Sequence, residues 1–364
     1  MNINLKKEEY FKQENVKISI ELDNYNLKKE GFIEGYINLV PKLKGEFKLT
    51  NTKIILILTQ FEFFEHINKE KLSTNKEIKP NEQHKEIIFN KESKIELNND
   101  MISSKVKVPI KISIPKNDKL LPSFYLKTKD FIAGIRHIFT VKIPGVSAVD
   151  SIGVFFCETI NKEDNKKDEF NAIFKDEQIN SMGLINKGKI SYLIRTAKNS
   201  YKNNENIDIK VMVDSSELHD YKINQIIIKL QRKITIFGYT VNSDLRYTLH
   251  TKVFESNELM EKKSNKYELE YTIPKLDGNE MNEKDIAQYI HFSEKNNNNE
   301  LEKKFFSPTV KGYFFSCEYK IKIRTNLDSK LITTKKIDIP LQIYVSNEYF
   351  KTEDKKSEQV QEIK

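Results

Sequence analysis

The stretch Lys105-Val106-Lys107-Val108-Pro109-Ile110-Lys111-Ile112-Ser113-Ile114 decides the fold. Every even-numbered residue in it is aliphatic, and every odd one is Lys, Pro or Ser. Successive side chains of a strand point to opposite faces, so strict alternation marks a strand with one face in a core and one in water. The same rhythm returns at Ile207, Ile209, Val211 and Val213, and at Tyr319, Ile321 and Ile323. It closes the chain's patterned region at Ile337, Ile339, Leu341, Ile343 and Val345. Antiparallel sheets packed face to face carry this pattern. Pro109 and Pro340 occupy outward positions inside two of these runs. A proline donates nothing to the ladder, so both strands are expected to be edges, or bulged there. One short helix is expected over residues 282–292, on an Asn-rich insertion that ends in Asn296 to Asn299. Strands on both sides of it argue against a parallel, doubly wound sheet.

The two halves repeat each other. Ile37 and Ile54 stand 17 residues apart in a strand, turn, strand pattern, as do Ile209 and Ile226. The second member of each pair opens an aliphatic strand, residues 54–60 and 226–232. Further on, an alternating run ends in Ile-Pro, at Ile114-Pro115 and Ile273-Pro274. A loop follows with Pro122-Ser123 or Pro308-Thr309, then a long strand over residues 136–143 or 318–324. Correspondences in one order point to a duplicated domain; the alternative is the strand rhythm that all antiparallel sandwiches share. The fold class is therefore all-β, with two consecutive immunoglobulin-like β-sandwich domains over residues 1–160 and 190–346. Residues 161–189 combine a charged run with Gly183 and Gly188 and read as a linker. Residues 347–364 are polar and aperiodic and read as a disordered tail.

Composition narrows the class. At about 150 residues per domain, 364 residues hold two or three domains. No apolar run approaches the length of a membrane span; the densest covers residues 54–58. Residues 1–12 are polar and mixed in charge, so no signal peptide is expected. Cys157 and Cys317 lie one in each half, which suits neither a disulfide framework nor a clustered zinc site. Asn-x-Ser/Thr triplets are absent, and a cytoplasmic location is the simplest reading. Lys and Arg number 61 against 53 acids, a net charge of +8. With the acids interspersed, this is no dense nucleic-acid-binding stripe.

These features resemble the arrestin family, over nearly the whole chain. Residues 18–23 followed by 31–39 are similar to the opening strand pair of its amino-terminal domain. The order Ile114-Pro115, Leu121-Pro122-Ser123-Phe124 and residues 135–141 is similar to that domain's ending. Residues 201–207, Val213-Asp214-Ser215-Ser216 and the closing 337–343 resemble the carboxy-terminal domain. Gly31 and Gly35 fit positions where the backbone turns or approaches closely, and Pro115, Pro122, Pro274 and Pro308 fit stiffened crossings between sheets. The resemblance implies a non-enzymatic cytosolic adaptor. Its partners would be cytoplasmic tails of membrane proteins and trafficking or ubiquitination machinery, with recruitment to membranes. Direct capture of WW-domain ubiquitin ligases through Pro-Pro-x-Tyr is not expected, since no two prolines are adjacent. The alternative is a structural scaffold in a cytoskeletal, ciliary or cortical assembly.

No motif supports catalysis, a metal or a cofactor. The chain has no phosphate-binding Gly-rich loop, no dinucleotide fingerprint and no nucleophile elbow. The six histidines lack ligand spacing; His137, inside a strand, reads as structural, and the cysteines as buried and inert. Lysines carry the remaining binding signal. Lys28 and Lys29 lie in a turn between the first strands, and Lys6, Lys7, Lys12 and Lys17 precede or enter the first. Lys6, Lys7, Lys28 and Lys29 are the candidate sites for a phosphorylated peptide or an anionic lipid surface. Lys105, Lys107 and Lys111 read as protection of an exposed edge strand.

Overall fold

The computed structural model describes residues 16–28, 31–41, 47–48, 53–66, 81–94, 101–102, 105–117, 119–127, 131–143, 149–157, 171–181, 185–237, 243–263, 265–276, 306–329, 332 and 334–345. These form two compact units, each an antiparallel sandwich. The first unit holds β1 (Val16–Leu22), β2 (Asn26–Lys28), β3 (Phe32–Pro41), β4 (Phe47–Lys48), β5 (Lys53–His66) and β6 (Asn81–Lys94). It continues with β7 (Met101–Ile102), β8 (Val106–Ser113), β9 (Phe124–Lys127), β10 (Phe131–Lys142) and β11 (Val149–Cys157). The second holds β12 (Asn171–Ser181), β13 (Ile185–Thr196), β14 (Ser200–Lys202), β15 (Ile207–Asp214), β16 (Ile223–Ile236) and β17 (Ser243–Glu255). It ends with β18 (Met260–Lys263), β19 (Lys266–Ile273), β20 (Val310–Lys311), β21 (Phe315–Leu327) and β22 (Ile337–Tyr344). Among the described residues helix is limited to one 3₁₀ turn, Ser256–Glu258. The expected helix at 282–292 and the tail at 347–364 lie outside them.

Alternation does what the sequence predicts. Val108, Ile110, Ile112 and Ile114 are buried, while Lys105, Lys107, Pro109 and Lys111 face out. Ile207, Ile209, Val211 and Val213 are buried in the second unit, as are Ile321, Ile323, Ile337, Ile339 and Leu341. Each such side chain contributes about 1.5–3 kcal/mol by leaving water.

Strand orders expose the duplication. In the first unit one sheet runs β1-β3-β8, a larger one β2-β11-β10-β5-β6 with β9 beside β10, and β4 pairs separately with β7. The second unit repeats the larger sheet as β14-β22-β21-β16-β17 with β20 beside β21. Even the one parallel pairing recurs, β2 on β11 and β14 on β22. Its smaller sheet, β12-β13-β15-β19-β18, keeps the three-strand core and adds a strand at each edge.

The Pro-Ser and Pro-Thr loops make the same clamp. Ser123 N–H donates to the Phe156 carbonyl, and Ser123 Oγ accepts the Phe156 N–H, each at 2.9 Å. Thr309 N–H donates to the Ile343 carbonyl, and Thr309 Oγ1 accepts the Ile343 N–H, each at 2.8 Å. Both hydroxyls thus tie a loop to the strand that closes its sandwich. Gly35 fits its expected close approach: a Cβ there would lie 2.2 Å from the Glu21 carbonyl oxygen.

Two expectations need correction. Pro109 does lie on a strand that ends its sheet, β8. Pro340 does not lie on a free edge, because β14 pairs with β22 at Gln342, Ile343 and Tyr344. The proline is tolerated because that pairing begins only at Gln342. Of the stretch read as a linker, residues 171–181 and 185–189 are strand. The outward face of β12 mixes Phe174 with Asp176 and Gln178, and its buried Glu177 breaks the apolar alternation that would have announced a strand. The rest of that stretch lies outside the described residues.

Candidate functional site

The predicted lysines do not assemble into a described site. Lys6, Lys7 and Lys29 lie outside the described residues, as does Lys12. Lys28 ends β2, where its backbone pairs with Cys157. On the outer face of β8, Lys107 lies 3.3 Å from Glu21 and over the Tyr36 ring, and Lys111 lies 2.6 Å from Glu34 and over the Phe32 ring. Their charges are matched and their stems cover two exposed aromatics, which fits edge protection.

The groups weighed for chemistry are structural. His137 is fully buried, with Nδ1 3.1 Å from Ser123 Oγ and Nε2 3.1 Å from Gln60 Oε1. Burial drives its pKa down to about 3, against a hydrogen bond with the Leu121 backbone, so the ring is neutral at physiological pH. Burial pushes the Cys317 thiol up to about 12, which leaves it a poor nucleophile. Among the described residues no three His, Cys, Asp or Glu side chains come together to hold a metal. No helix among them is long and apolar enough to cross a membrane.

A different cationic group does assemble, on the outer face of β16 and β21. Alternation that buries Ile226, Ile228 and Leu230 sends Lys229 and Gln231 outward. The same alternation on β21 buries Ile321 and Ile323 and sends Lys320, Lys322 and Arg324 outward. Register then sets Lys229 directly opposite Lys322, and Ile227 opposite Arg324. With Lys336 these residues line a cleft of about 120 Å³, the size of a small anion with its water. Like charges placed opposite one another cost roughly 0.2–1 kcal/mol, so the free protein carries this arrangement at a loss.

Few acids offset the charge. Asp338 lies 2.6 Å from Lys320 Nζ and 4.0 Å from Lys322 Nζ. Lys233 and Arg246 share Asp244. Among the described residues Lys229, Arg324 and Lys336 have no carboxylate partner. The Lys322 side chain is only 14% exposed. Burial lowers its pKa first; Asp338 opposes this, and Lys320, Lys336 and Arg246 add to it. Two polar atoms at the cleft are buried without a hydrogen bond, Arg324 Nε and Gln231 Oε1. A buried guanidinium donor left open beside three ammonium groups is the chemistry of a phosphate or carboxylate site. Lysines 320 and 322 and Arg324 were visible in the sequence as an outward row; their meeting with Lys229 depends on a register that one sequence does not display.

The described residues thus form two sandwiches that share a strand order, with a cationic cleft on the second. Residues 186–348, just under half of the chain, match the family model described as Arrestin (or S-antigen), C-terminal domain. On that match the chain is arrestin-like over its second unit. No curated protein matches the chain.

Proposed function

We propose that this protein is a non-enzymatic cytosolic adaptor. It binds cytoplasmic segments of membrane proteins, links them to trafficking or ubiquitination machinery, and is recruited through its cationic cleft to anionic membrane surfaces. The observation that carries this reading is the cleft lined by Lys229, Lys322, Arg324 and Lys336, of which, among the described residues, only Lys322 has a carboxylate within 4.0 Å. Each cation near an anionic bilayer adds about 1 kcal/mol, so four acting together give measurable recruitment where four dispersed ones do not. Sandwich edges and loops supply the second contact, since an extended peptide gains affinity from main-chain pairing.

Flotation with vesicles tests it. The full chain is expected to float with phosphatidic acid vesicles and not with phosphatidylcholine. Charge reversal at Lys229 and Arg324 together should abolish flotation. Equal flotation of that variant, or none of the wild type, sinks the recruitment reading. Proximity labelling in the native cell tests the adaptor reading: membrane cargo and sorting proteins are expected, and a set of metabolic enzymes alone would overturn it.

A further inference from the structure

The cleft is braced from the far side of its own sandwich. Glu177 is on β12, a strand without a described counterpart in the first unit, and its side chain points inward and is buried. Its Oε1 accepts the backbone N–H of Lys335 from the segment that leads into β22. Its Oε2 lies 3.5 Å from the Tyr192 hydroxyl, which in turn lies 3.1 Å from Thr325 Oγ1 on β21. The Thr334 hydroxyl donates to the Thr325 carbonyl. The network therefore ties β12 and β13 of one sheet to β21 and to residues 334–335 of the other. Its two contact points are the chain neighbours of two cleft cations. Thr325 follows Arg324, and Lys335 precedes Lys336.

Thr325 lies within β21, so its inward bond fixes its outward neighbour Arg324. Lys335 and Lys336 precede β22 and are both exposed, and the captured Lys335 amide holds the backbone from which Lys336 projects. Lys336 precedes β22 and has no ladder partner of its own. The bond from Lys335 to Glu177, together with that of Thr334 to Thr325, holds the backbone that leads to it. We propose that Glu177 is a positioning residue of the cleft: it sets Lys336 against Arg324 by capturing the Lys335 amide, without touching the anion. This inference rests on the reading of the cleft as an anion site. It explains a buried carboxylate in the middle of a strand, where an aliphatic residue would pack without the cost of desolvation.

Calorimetric titration of the full chain with inorganic pyrophosphate tests it. Lys336→Ala is expected to weaken binding by roughly fivefold, the equivalent of about 1 kcal/mol. Glu177→Ala should weaken it by a similar factor, and the double variant no further than Lys336→Ala alone, since both act through one group. Glu177→Gln should bind within about twofold of wild type, because its amide oxygen still accepts the Lys335 N–H. Hydrogen exchange at the Lys335 amide should be slow in wild type and Glu177→Gln and fast in Glu177→Ala. Should Glu177→Ala fail to fold, Thr334→Val takes its place and should weaken binding in the same non-additive way. Wild-type affinity in either variant, or losses that add to that of Lys336→Ala, overturns the positioning role while leaving the cleft intact. Absence of pyrophosphate binding that Lys229→Ala and Arg324→Ala remove overturns the cleft itself.

Discussion

At one position of the same ladder the two units make opposite choices. Thr140 on β10 lies opposite Ile57 on β5, whereas Lys322 on β21 lies opposite Lys229 on β16. The equivalence is fixed by geometry: the Ser123 clamp on Phe156 matches the Thr309 clamp on Ile343, and Phe124 facing Ile135 matches Val310 facing Cys317. Counting along the ladders from those anchors pairs Ile55 with Ile227, Lys142 with Arg324 and His137 with Tyr319. Inward positions kept their task of packing and clamping even where the residue changed. Outward positions were released: Lys142 and Arg324 keep a cation at one, but only the second unit sets two lysines opposite each other at the next. On the proposed reading, one sandwich serves as scaffold and its repeat carries the binding face.

Acid breaks the symmetry most strongly. His137 and Tyr319 fill matching buried sites, but only the histidine titrates in an accessible range. Its unfolded pKa is 6.5, and burial holds the folded value near 3. Between those values the unfolded chain takes up a proton that the folded unit refuses, so stability is present above pH 6.5 and is lost as pH falls. The full loss is on the order of 5 kcal/mol. Tyr319, whose pKa burial raises well above the ordinary 10, stays neutral throughout. Hydrogen exchange followed by peptide mass should show the first unit opening between pH 6 and 4 while the second stays protected. Equal protection of both units at pH 4 contradicts the assignment.

The clamps differ next. Ser123 Oγ serves both the Phe156 N–H and the His137 ring inside a fully buried site, while Thr309 serves Ile343 in a half-buried one. Removing a buried partner strands the groups it satisfied, at about 1–3 kcal/mol. Ser123→Ala should cost about 2 kcal/mol and Thr309→Ala about half of that, read as shifts in urea midpoint. The reverse order would show that the two loops are not equivalent.

Exchanging the outer residues sharpens the comparison further. The variant Lys229→Ile with Lys322→Thr gives the second unit the first unit's pair. It should gain roughly 0.5–1 kcal/mol by removing the like-charge contact, and lose binding to phosphatidic acid vesicles. A gain in stability with binding intact would place the anion site elsewhere.

How much of this was legible follows from the same contrast. Alternation along single strands is a local signal, so the sandwiches, their inward residues and the Pro-Ser and Pro-Thr loops could be read directly. The duplication was legible because Ile37 to Ile54 and Ile209 to Ile226 preserve a spacing. The cleft was not, because Lys229 and Lys322 are far apart in sequence and meet only through the β16–β21 register. Sequence proximity points instead to Lys6, Lys7, Lys28 and Lys29, while the β8 lysines, read as edge protection, pair with Glu21 and Glu34. β12 was read as linker for a related reason. Its inward Glu177 is satisfied by Lys335 and Tyr192, partners that no local pattern announces.

That glutamate gives the smallest effect and the clearest sign. Burial raises the Glu177 pKa above 4.5; the Lys335 amide, the charges of Lys335 and Lys175 and the Tyr192 hydroxyl oppose the rise without cancelling it. From pH 4.5 up to the raised value the folded unit keeps a proton that the unfolded chain has released. Stability of the second unit therefore falls as pH rises through this window, opposite in direction to the His137 effect in the first. Glu177→Gln keeps an acceptor for the Lys335 N–H and has no proton to lose. It should flatten the decline and match or exceed wild type at neutral pH, read from urea midpoints across the window. Because the two titrations run in opposite directions, the stability difference between the units should be greatest in mild acid and shrink toward neutrality. A glutamine variant that keeps the wild-type slope would assign that slope to another carboxylate and leave Glu177 ionised in the fold.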